Sequence, residues 1–429
     1  MNSTPVHRRR SMYSWAMYDF ANSPFTTMVV TFIYATYFAK VIAPDAITGT
    51  VLWSRGVTIT ALTVAFLSPF AGALADRGGY RKLFLLLATA VCIFGSAMLY
   101  RPLPGQITQA LMWFVIANIA FEMANVFYNA YLPDIAPPNR LGWVSGMGWS
   151  LGYIGGLVAM ILSLVGLVNA DVPWFGFSKE AGQNIRATNL LVAGWFAIFA
   201  VPMFLWVKED RSQVPRTQEP ILRATLQQLA ETFREIRRYR QVVRLLLARL
   251  VYNDALVTIF AFGGIYAVGT FGFSIEEVIV FGIALNFAAG IGAFALGYVD
   301  DVLGGKRTIQ LSLIGLILAT LLAVVAPNRL AFWIAGMGIG LFIGPNQAAS
   351  RSLMARFTPE HKVGEFFGLY AFSGKATAFV GPFLLGVLTQ AFQSQRAGIW
   401  VVLVLFIVGA LLLHRVEEAE GLQMSKRQL

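Results

Sequence analysis

Apolar residues run along this chain in blocks of about 17–25, the length that carries a helix across the hydrocarbon core of a bilayer. Trp15–Ala39, Leu83–Tyr100, Thr108–Leu132, Leu191–Val207 and Ile399–Leu413 are examples. Backbone groups in hydrocarbon must be satisfied within their own segment, so the blocks predict helices. The first set of spans reads Tyr13–Ala39, Val51–Ala75, Leu83–Tyr100, Thr108–Leu132, Trp143–Val168 and Thr188–Val207. The second reads Leu245–Phe271, Glu276–Val299, Thr308–Ala326, Leu330–Leu353, Phe366–Gln390 and Gly398–Leu413. The expected fold is an all-α integral membrane protein, with twelve transmembrane helices in two pseudo-symmetric six-helix bundles. The bundles are residues 1–207 and 245–429, the second ending in a short cytoplasmic tail.

Between them lies the segment 208–244. Leu222, Leu226, Leu229, Phe233 and Ile236 recur there at helical spacing, with Arg223, Arg234, Arg237 and Arg238 on other faces. This reads as a basic amphipathic helix on the cytoplasmic membrane surface, or as a solvated linker helix with no lipid role.

Composition agrees with the pattern. The chain is 57% hydrophobic and 13% charged, against roughly 25% charged in a soluble domain, so its solvent is largely lipid. The net charge of +11 is placed unevenly. Arg8–Arg10, Arg77, Arg81, Lys82, Lys306, Arg307, Arg356, Lys362 and the middle segment fall on one side. The alternate loops hold isolated charges such as Lys40, Arg101, Lys179, Arg329 and Arg396. That asymmetry is the positive-inside rule with both termini cytoplasmic, and it argues against nucleic acid as the partner. The first segment follows a basic leader but contains Asp19 and lacks a small-residue cleavage site, so it reads as a retained helix. Cys92 is the only cysteine and lies inside an apolar block, which excludes an internal disulfide and a thiolate metal cluster.

The two sets echo one another. Gly72-Ala-Leu-Ala-Asp76 precedes Arg81-Lys82, and Gly297-Tyr-Val-Asp-Asp301 precedes Lys306-Arg307 at the same offsets, 297 − 72 = 225 residues apart. Gly146 and Gly152 are matched by Gly368 and Gly374, each 222 residues on. Parallel halves of this kind are a transporter architecture.

Several chemistries are missing. Ser373-Gly374-Lys375 and Gly304-Gly305-Lys306 both lack the first glycine of a phosphate-binding loop, so ATP-driven transport is not expected. His7, His361 and His414 lie in tails or loops, and no catalytic set, cofactor site or metal site is indicated.

The spans do carry polar stripes. The first has Asp19, Asn22, Ser23 and Thr26; the fourth has Asn118, Glu122, Asn125 and Asn129. The seventh has Arg249, Asn253 and Asp254; the tenth has Asn346, Gln347, Ser350 and Arg351. These helices hold equivalent positions in a chain of four three-helix units. A charge at the bilayer centre costs at least ~2.5–3.5 kcal/mol, so the stripes must converge on each other or on water. They read as the wall of a central cavity, or as interhelical hydrogen-bond glue. Lys375, near the middle of the eleventh span, needs an acidic partner, an anionic substrate or water. The cavity set is Asn22, Asn118, Asn125, Asn129, Asn253, Asn346, Gln347 and Lys375. Asp76 is expected to face the amino end of the eleventh helix, where partial positive charge favours an acid. Asp76, Arg77, Arg81, Asp301 and Lys306, with Arg249 and Arg351, are therefore assigned to gates. Gly148-x-x-x-Gly152-x-x-x-Gly156 in the fifth span and Gly336, Gly338, Gly340 and Gly344 in the tenth permit close helix packing.

The half-repeats and the Gly72-to-Lys82 loop resemble the major facilitator superfamily. Within it, four stretches resemble the autophagy-related vacuole effluxer family and its bacterial relatives. They are Trp15-x-x-Tyr18-Asp19-Phe20-Ala21-Asn22-Ser23-x-Phe25, Tyr128-Asn129-Ala130-Tyr131-Leu132-Pro133-Asp134, Ser145-Gly146-x-Gly148-Trp149-x-Leu151-Gly152-Tyr153, and Glu365-Phe366-Phe367-Gly368-x-Tyr370-x-x-Ser373-Gly374-Lys375. Ser350-Arg351-Ser352 adds to them. One departure is Tyr80, where the superfamily loop usually has a basic residue. The resemblance implies a rocker-type secondary carrier; members in eukaryotic vacuoles are linked to amino-acid efflux.

The expected function is alternating-access transport of an amino acid or similarly small polar metabolite in a bacterial cytoplasmic membrane. The alternatives are an exporter of amphipathic compounds and a non-transporting receptor or scaffold. The expected partners are a small molecule, H+ or Na+, and the lipid bilayer, with no obligatory protein partner. A partly dry carboxylate can load and release a proton near neutrality. Glu122 is the first choice for ion coupling, Asp19 the second and Asp254 the third. For sodium, Asp19, Asn22 and Ser23 offer hard oxygen ligands. The charge asymmetry predicts that a cysteine at position 220 is shielded from an impermeant thiol reagent outside intact cells, while one beside Asp171 reacts. Labelling at 220 under those conditions overturns the topology.

Overall fold

A computed structural model describes residues 5–209, 221–235 and 237–426; Pro220 and Ile236 lie outside these, as does 210–220 of the linker. The described chain is helical almost throughout. Eleven helices among the described residues are long and apolar enough to cross a membrane. We number them α1 (Arg8–Ile42), α2 (Ile47–Gly78), α3 (Arg81–Met98), α4 (Ile107–Ile135), α5 (Pro138–Val168), α6 (Glu180–Trp206), α7 (Arg240–Phe271), α8 (Glu277–Leu303), α9 (Gly305–Val325), α11 (Glu360–Phe392) and α12 (Gln395–His414). Between α9 and α11 runs α10, Arg329–Phe357, whose 29 residues span about 43 Å at 1.5 Å each. Its four glycines and Pro345-Asn346-Gln347 dilute its apolar character.

Local signals set the ends of these helices. Asp45 caps α2 by accepting from the backbone of Ile47 and Thr48, and Gly79 closes it in the left-handed conformation. Ser274 and Glu277 form a capping box before α8. Three of the irregular helices bear on the site. In α1 an α-helical stretch gives way to π-helix at Phe25–Phe32 after Pro24, and α5 ends in π-helix at Leu164–Val168. The third is α11. The sequence predicts one continuous span at Phe366–Gln390, but the helix stops at Lys375 and restarts at Val380. Side chains of α7 take the freed backbone groups. Asn253 Nδ2 donates to the Gly374 carbonyl at 3.0 Å, and Asp254 Oδ2 accepts from Gly381 N at 2.9 Å. A break at this depth is tolerated only where protein or water meets those groups.

Packing repeats with the sequence echo. In the first half α1 packs on α5 and α6, α2 on α4, and α3 on α4 and α6; in the second α7 packs on α11 and α12, α8 on α10, and α9 on α10 and α12. Across the halves α2 lies along α11 and α5 along α8. Gly72 sits against the Gly364 carbonyl and Gly146 against the Ala293 carbonyl, so a Cβ at either would strike backbone. Arg8 and Ser11 donate to the Ala136 and Trp206 carbonyls, Glu417 N donates to Gln241, and Glu418 accepts from Gly305 and Lys306; the face these described residues share we call the basic face. There Lys82 N donates to Glu209 and Lys82 Nζ to the Val207 carbonyl at 2.6 Å. Lys306, 306 − 82 = 224 residues on, repeats this, its N donating to Glu418 and its Nζ to the His414 carbonyl at 3.0 Å. Lys306 was expected in a gate. The structure places it instead on the carboxyl end of α12, where helix carbonyls attract a cation.

Candidate functional site

The basic face is sealed by two equivalent caps. The first four N–H groups of a helix have no partner within it. Asp76 at the end of α2 supplies acceptors for α11, Oδ1 taking Gly364 N and Oδ2 taking Glu365 N, both at 2.9 Å. Asp301 at the end of α8 does the same for α5, taking Gly142 N at 2.7 Å and Trp143 N at 2.9 Å. Each carboxylate thus binds the opposite half through charge-assisted hydrogen bonds, worth about 1.5–3 kcal/mol each, and complements the helix dipole.

Basic residues back these caps. Arg81 lies 3.8 Å from Asp76 and 3.0 Å from Asp134. In the second half the backing cation is Arg356, at 2.6 Å from Asp300, 3.3 Å from Asp301 and 3.7 Å from Glu418. The sequence reading put Arg356 in a loop; it occupies the last turn of α10. Arg77, also assigned to the gate, turns to the linker helix and donates to Gln228 at 2.6 Å.

Toward the middle of the bundle the halves are joined by two ion pairs. Arg351 of α10 meets Asp19 of α1 at 3.0 Å, with side-chain exposures of 3% and 12%. Each guanidinium nitrogen of Arg351 is used. Nε donates to Ser145 Oγ, Nη1 to Asp19 and Asn129, and Nη2 to the Ser145 carbonyl. Trp15 and Trp149 cover its faces, with ring centroids 4.7 and 5.5 Å away. Gly148 and Gly152 leave room beside Asp19 and Ser23. Removing one partner of such a buried pair costs about 3–5 kcal/mol.

The second pair is Lys375 of α11 with Glu122 of α4, at 2.6 Å. It keeps more exposure, 31% for Lys375 and 18% for Glu122, and Lys375 sits where the first segment of α11 stops. Arg249 of α7 is different again. It stacks on Tyr370 with its Cζ 3.6 Å from the ring centroid, and its Nη1 donates to the Tyr370 carbonyl and Ser373 Oγ. Gly374 makes room for this, since a Cβ there would lie 2.8 Å from Nη1. Among the described residues Arg249 faces no carboxylate within ion-pair distance, and its Nε and Nη2 have no hydrogen-bond partner.

The asparagines divide. Asn22 reaches Asn125 at 3.5 Å, Asn129 accepts from Arg351, and Asn118 is buried one turn from Glu122. Asn253 serves the α11 break. Asn346 was expected on the cavity wall. It is wholly buried against α9, its Nδ2 donating to Ser312 Oγ at 3.1 Å. The tenth span offered two polar faces, and the one that meets the first half carries Arg351, with half-buried Gln347 one turn away. Asp254 lies at the α11 break, one oxygen on Gly381 and Oδ1 buried without a partner among the described residues. Sequence reasoning missed Ser145, Tyr370 and Ser373 as ligands of the arginines, though all three stand in stretches singled out by resemblance.

Comparison with known proteins sets this geometry in context. The chain matches a family model described as "Vacuole effluxer Atg22 like" over residues 43–426. It is 27% identical to an "Uncharacterized MFS-type transporter YxiO" of Bacillus subtilis (strain 168), over 97% of this chain and 96% of that protein. It is 22% identical to "Autophagy-related protein 22" of Yarrowia lipolytica (strain CLIB 122 / E 150), over 84% of this chain and 75% of that one. The fold matches the proton:xylose symporter XylE of the major facilitator superfamily with a TM-score of 0.73, at 11% identity and 98% coverage of both chains. It also matches a bacterial homologue of the iron transporter ferroportin in an outward-facing state, with a TM-score of 0.71, 13% identity and coverage of 95% and 98%.

The caps generate a prediction. Asp76→Asn keeps the size of the side chain but replaces one of the two acceptors for Gly364 N and Glu365 N with a donor. Loss of one charge-assisted bond at about 1.5–3 kcal/mol should raise the population open at the basic face roughly tenfold or more. Thiol reagent applied from that face should then label a cysteine at Gln347 faster than in the parent protein. Unchanged labelling would rule out a gating role for Asp76.

Proposed function

This chain belongs to the vacuole effluxer Atg22-like family, within the major facilitator superfamily, and we propose that it is a secondary carrier that moves a small polar solute by alternating access. The observation that carries the reading is the Glu122–Lys375 pair, which ties α4 to α11 at mid-span above a sealed basic face. In this reading twelve spans form two six-helix bundles, 1–207 and 245–429, joined by 208–244. The basic face, both termini and the linker are cytoplasmic, as the positive-inside rule expects, and the membrane is the bacterial cytoplasmic membrane. The protein is a carrier rather than an enzyme, and it works without a cofactor.

The three central cations have separate tasks. Arg351 commits every guanidinium nitrogen to Asp19, Asn129 and Ser145, so it acts as a strut of the closed gate. Arg249 has donors to spare and reads the carboxylate of an amino acid or similar metabolite, which supports a zwitterionic substrate. Lys375 and Glu122 form the coupling pair. Protonation of Glu122 removes the charge that holds Lys375, so the two halves lose one of their mid-span ties and can rock. The movement then breaks the Asp19–Arg351 pair and the two helix caps at the basic face.

The test uses proteoliposomes and an amino-acid substrate found by counterflow screening. Under an imposed pH gradient without sodium, the parent protein should accumulate solute. Glu122→Gln should lose accumulation, about tenfold or more, while retaining counterflow exchange, because a permanently neutral side chain still lets the loaded carrier rock. Parent-like accumulation in that variant removes the proton role of Glu122. Accumulation that requires sodium and fails in Asp19→Asn moves coupling to the Asp19, Asn22 and Ser23 cluster.

A further inference from the structure

The linker helix Ile221–Arg234 touches both halves at the sealed face. Gln228 is its centre. Its Oε1 accepts from Arg77 Nε of the first half at 2.6 Å, and its Nε2 donates to Glu365 Oε2 of the second half at 2.6 Å. Four residues on, Thr232 Oγ1 accepts from Lys362 Nζ at 2.9 Å. Ala224, Thr225, Gln228 and Thr232 are all buried. One amide side chain therefore bridges the end of α2 and the start of α11, beside the Asp76 cap.

The other side of this helix is unlike the docked one. At about 100° per residue, Leu226 lies about 160° round from Gln228, with Leu222 and half-buried Leu229 flanking it on one side and Arg223 and Arg234 on the other. Leu222 and Leu226 are 58% and 54% exposed, and Arg223 and Arg234 are exposed too. Arg237 and Arg238 extend the charge just beyond, also exposed. Two leucines thus face outward while Thr225, Gln228 and Thr232 face inward. The inversion fits a helix held between protein on one side and an apolar, negatively charged layer on the other. Under the proposed topology the neighbouring ends of α2, α7 and α11 are ends of spans, where headgroups begin.

We propose that this helix is a membrane-keyed latch: its leucine and arginine side rests on an anionic bilayer surface, and that contact keeps Gln228 seated between Arg77 and Glu365 so that the basic face stays closed. The occupant is the anionic lipid surface, chosen by the net positive charge of the exposed side, four arginines against Glu231 and Glu235, with Glu235 paired to Arg238 at 3.0 Å, and by the two exposed leucines. Anionic lipid thereby slows opening at that face, and a neutral surface releases it. The inference rests on the alternating-access reading of the same face.

The experiment measures the width of the basic face directly. Nitroxide labels are placed at Asn139→Cys in the first half and Arg307→Cys in the second, both exposed positions, in a Cys92→Ala background. The full chain is put into nanodiscs of phosphatidylcholine alone or of phosphatidylcholine with phosphatidylglycerol, and the distance distribution is recorded. In the anionic discs one short population is expected. In neutral discs, and in Leu222→Ser/Leu226→Ser or Gln228→Ala in either disc, a second, longer population should appear. The leucine variant changes only exposed side chains, so it keeps the test sound even if Gln228→Ala folds poorly. A leucine variant that stays closed in anionic discs overturns the latch, as does a parent protein whose distances ignore lipid charge. Closure restored in neutral discs by soluble glycerol phosphate also overturns it, because a free anion would then be the ligand. Arg351→Ala separates the two levels. If it opens the face in both lipids while lipid charge has no effect on the parent, the latch alone fails. If neither changes the distance, alternating access at this face fails with it.

Discussion

Helices that start inside a bilayer protein leave N–H groups that water cannot reach, and every such group must find an acceptor. In this molecule the acceptors for α5 and α11 are carboxylates of the opposite half. Asp301 takes the first N–H groups of α5 and Asp76 those of α11. The rest of the basic face follows from this requirement. The helix ends must come close enough for a short aspartate to reach, so Gly72 meets Gly364 and Gly146 meets Ala293 and Gly297 with no room for side chains. The aspartates in turn are backed by Arg81 and Arg356.

The caps have a property that suits a gate. The caps themselves are hydrogen bonds to carboxylates, and the helix ends they satisfy would meet cytoplasmic water on separation under the proposed topology. Opening therefore exchanges protein acceptors for water, at a cost that remains modest. The mid-span pairs behave differently. Asp19 and Arg351 are nearly dry, and separating them leaves two charges in need of solvent. Glu122 and Lys375 are more exposed, so water admitted there would make their association easier to reverse. A gradient of hydration thus runs through the cross-half contacts, and the most reversible of the mid-span pairs lies at the break in α11.

That break depends on α7. Asn253 and Asp254 accept the interruption by taking the backbone groups it exposes. Arg249, one turn earlier, stacks on Tyr370 of α11. One stretch of α7 therefore shapes α11, positions Lys375 and presents the cation with spare donors. Close coupling of this kind lets a change at one side chain alter the path of a whole helix. The linker helix adds a second control, because Gln228 engages Arg77 and Glu365 at the other end of the same elements.

Much of this was legible in the sequence. Apolar run length dictated an all-α, multi-span fold and the approximate bounds of most spans, since hydrocarbon thickness admits few alternatives. The 225- and 222-residue echoes announced the equivalence of the caps, and the polar stripes named Asp19, Glu122, Asn129, Arg249 and Arg351 as inward-facing, because charge cannot face lipid. Pairing was not legible. Periodicity tells which residues share a face but not which face meets which neighbour, so only the folded chain decided that Arg351 meets Asp19 and that Lys375 meets Glu122. For the same reason Asn346 turned to α9, Lys306 to the end of α12 and Arg356 to the aspartates. The interruption of α11 was hidden as well, since it rests on side chains of α7 more than a hundred residues away. The linker shows the division most plainly: its amphipathic pattern was written in the sequence, but which side would dock depended on Arg77 and Glu365, brought together only by the fold.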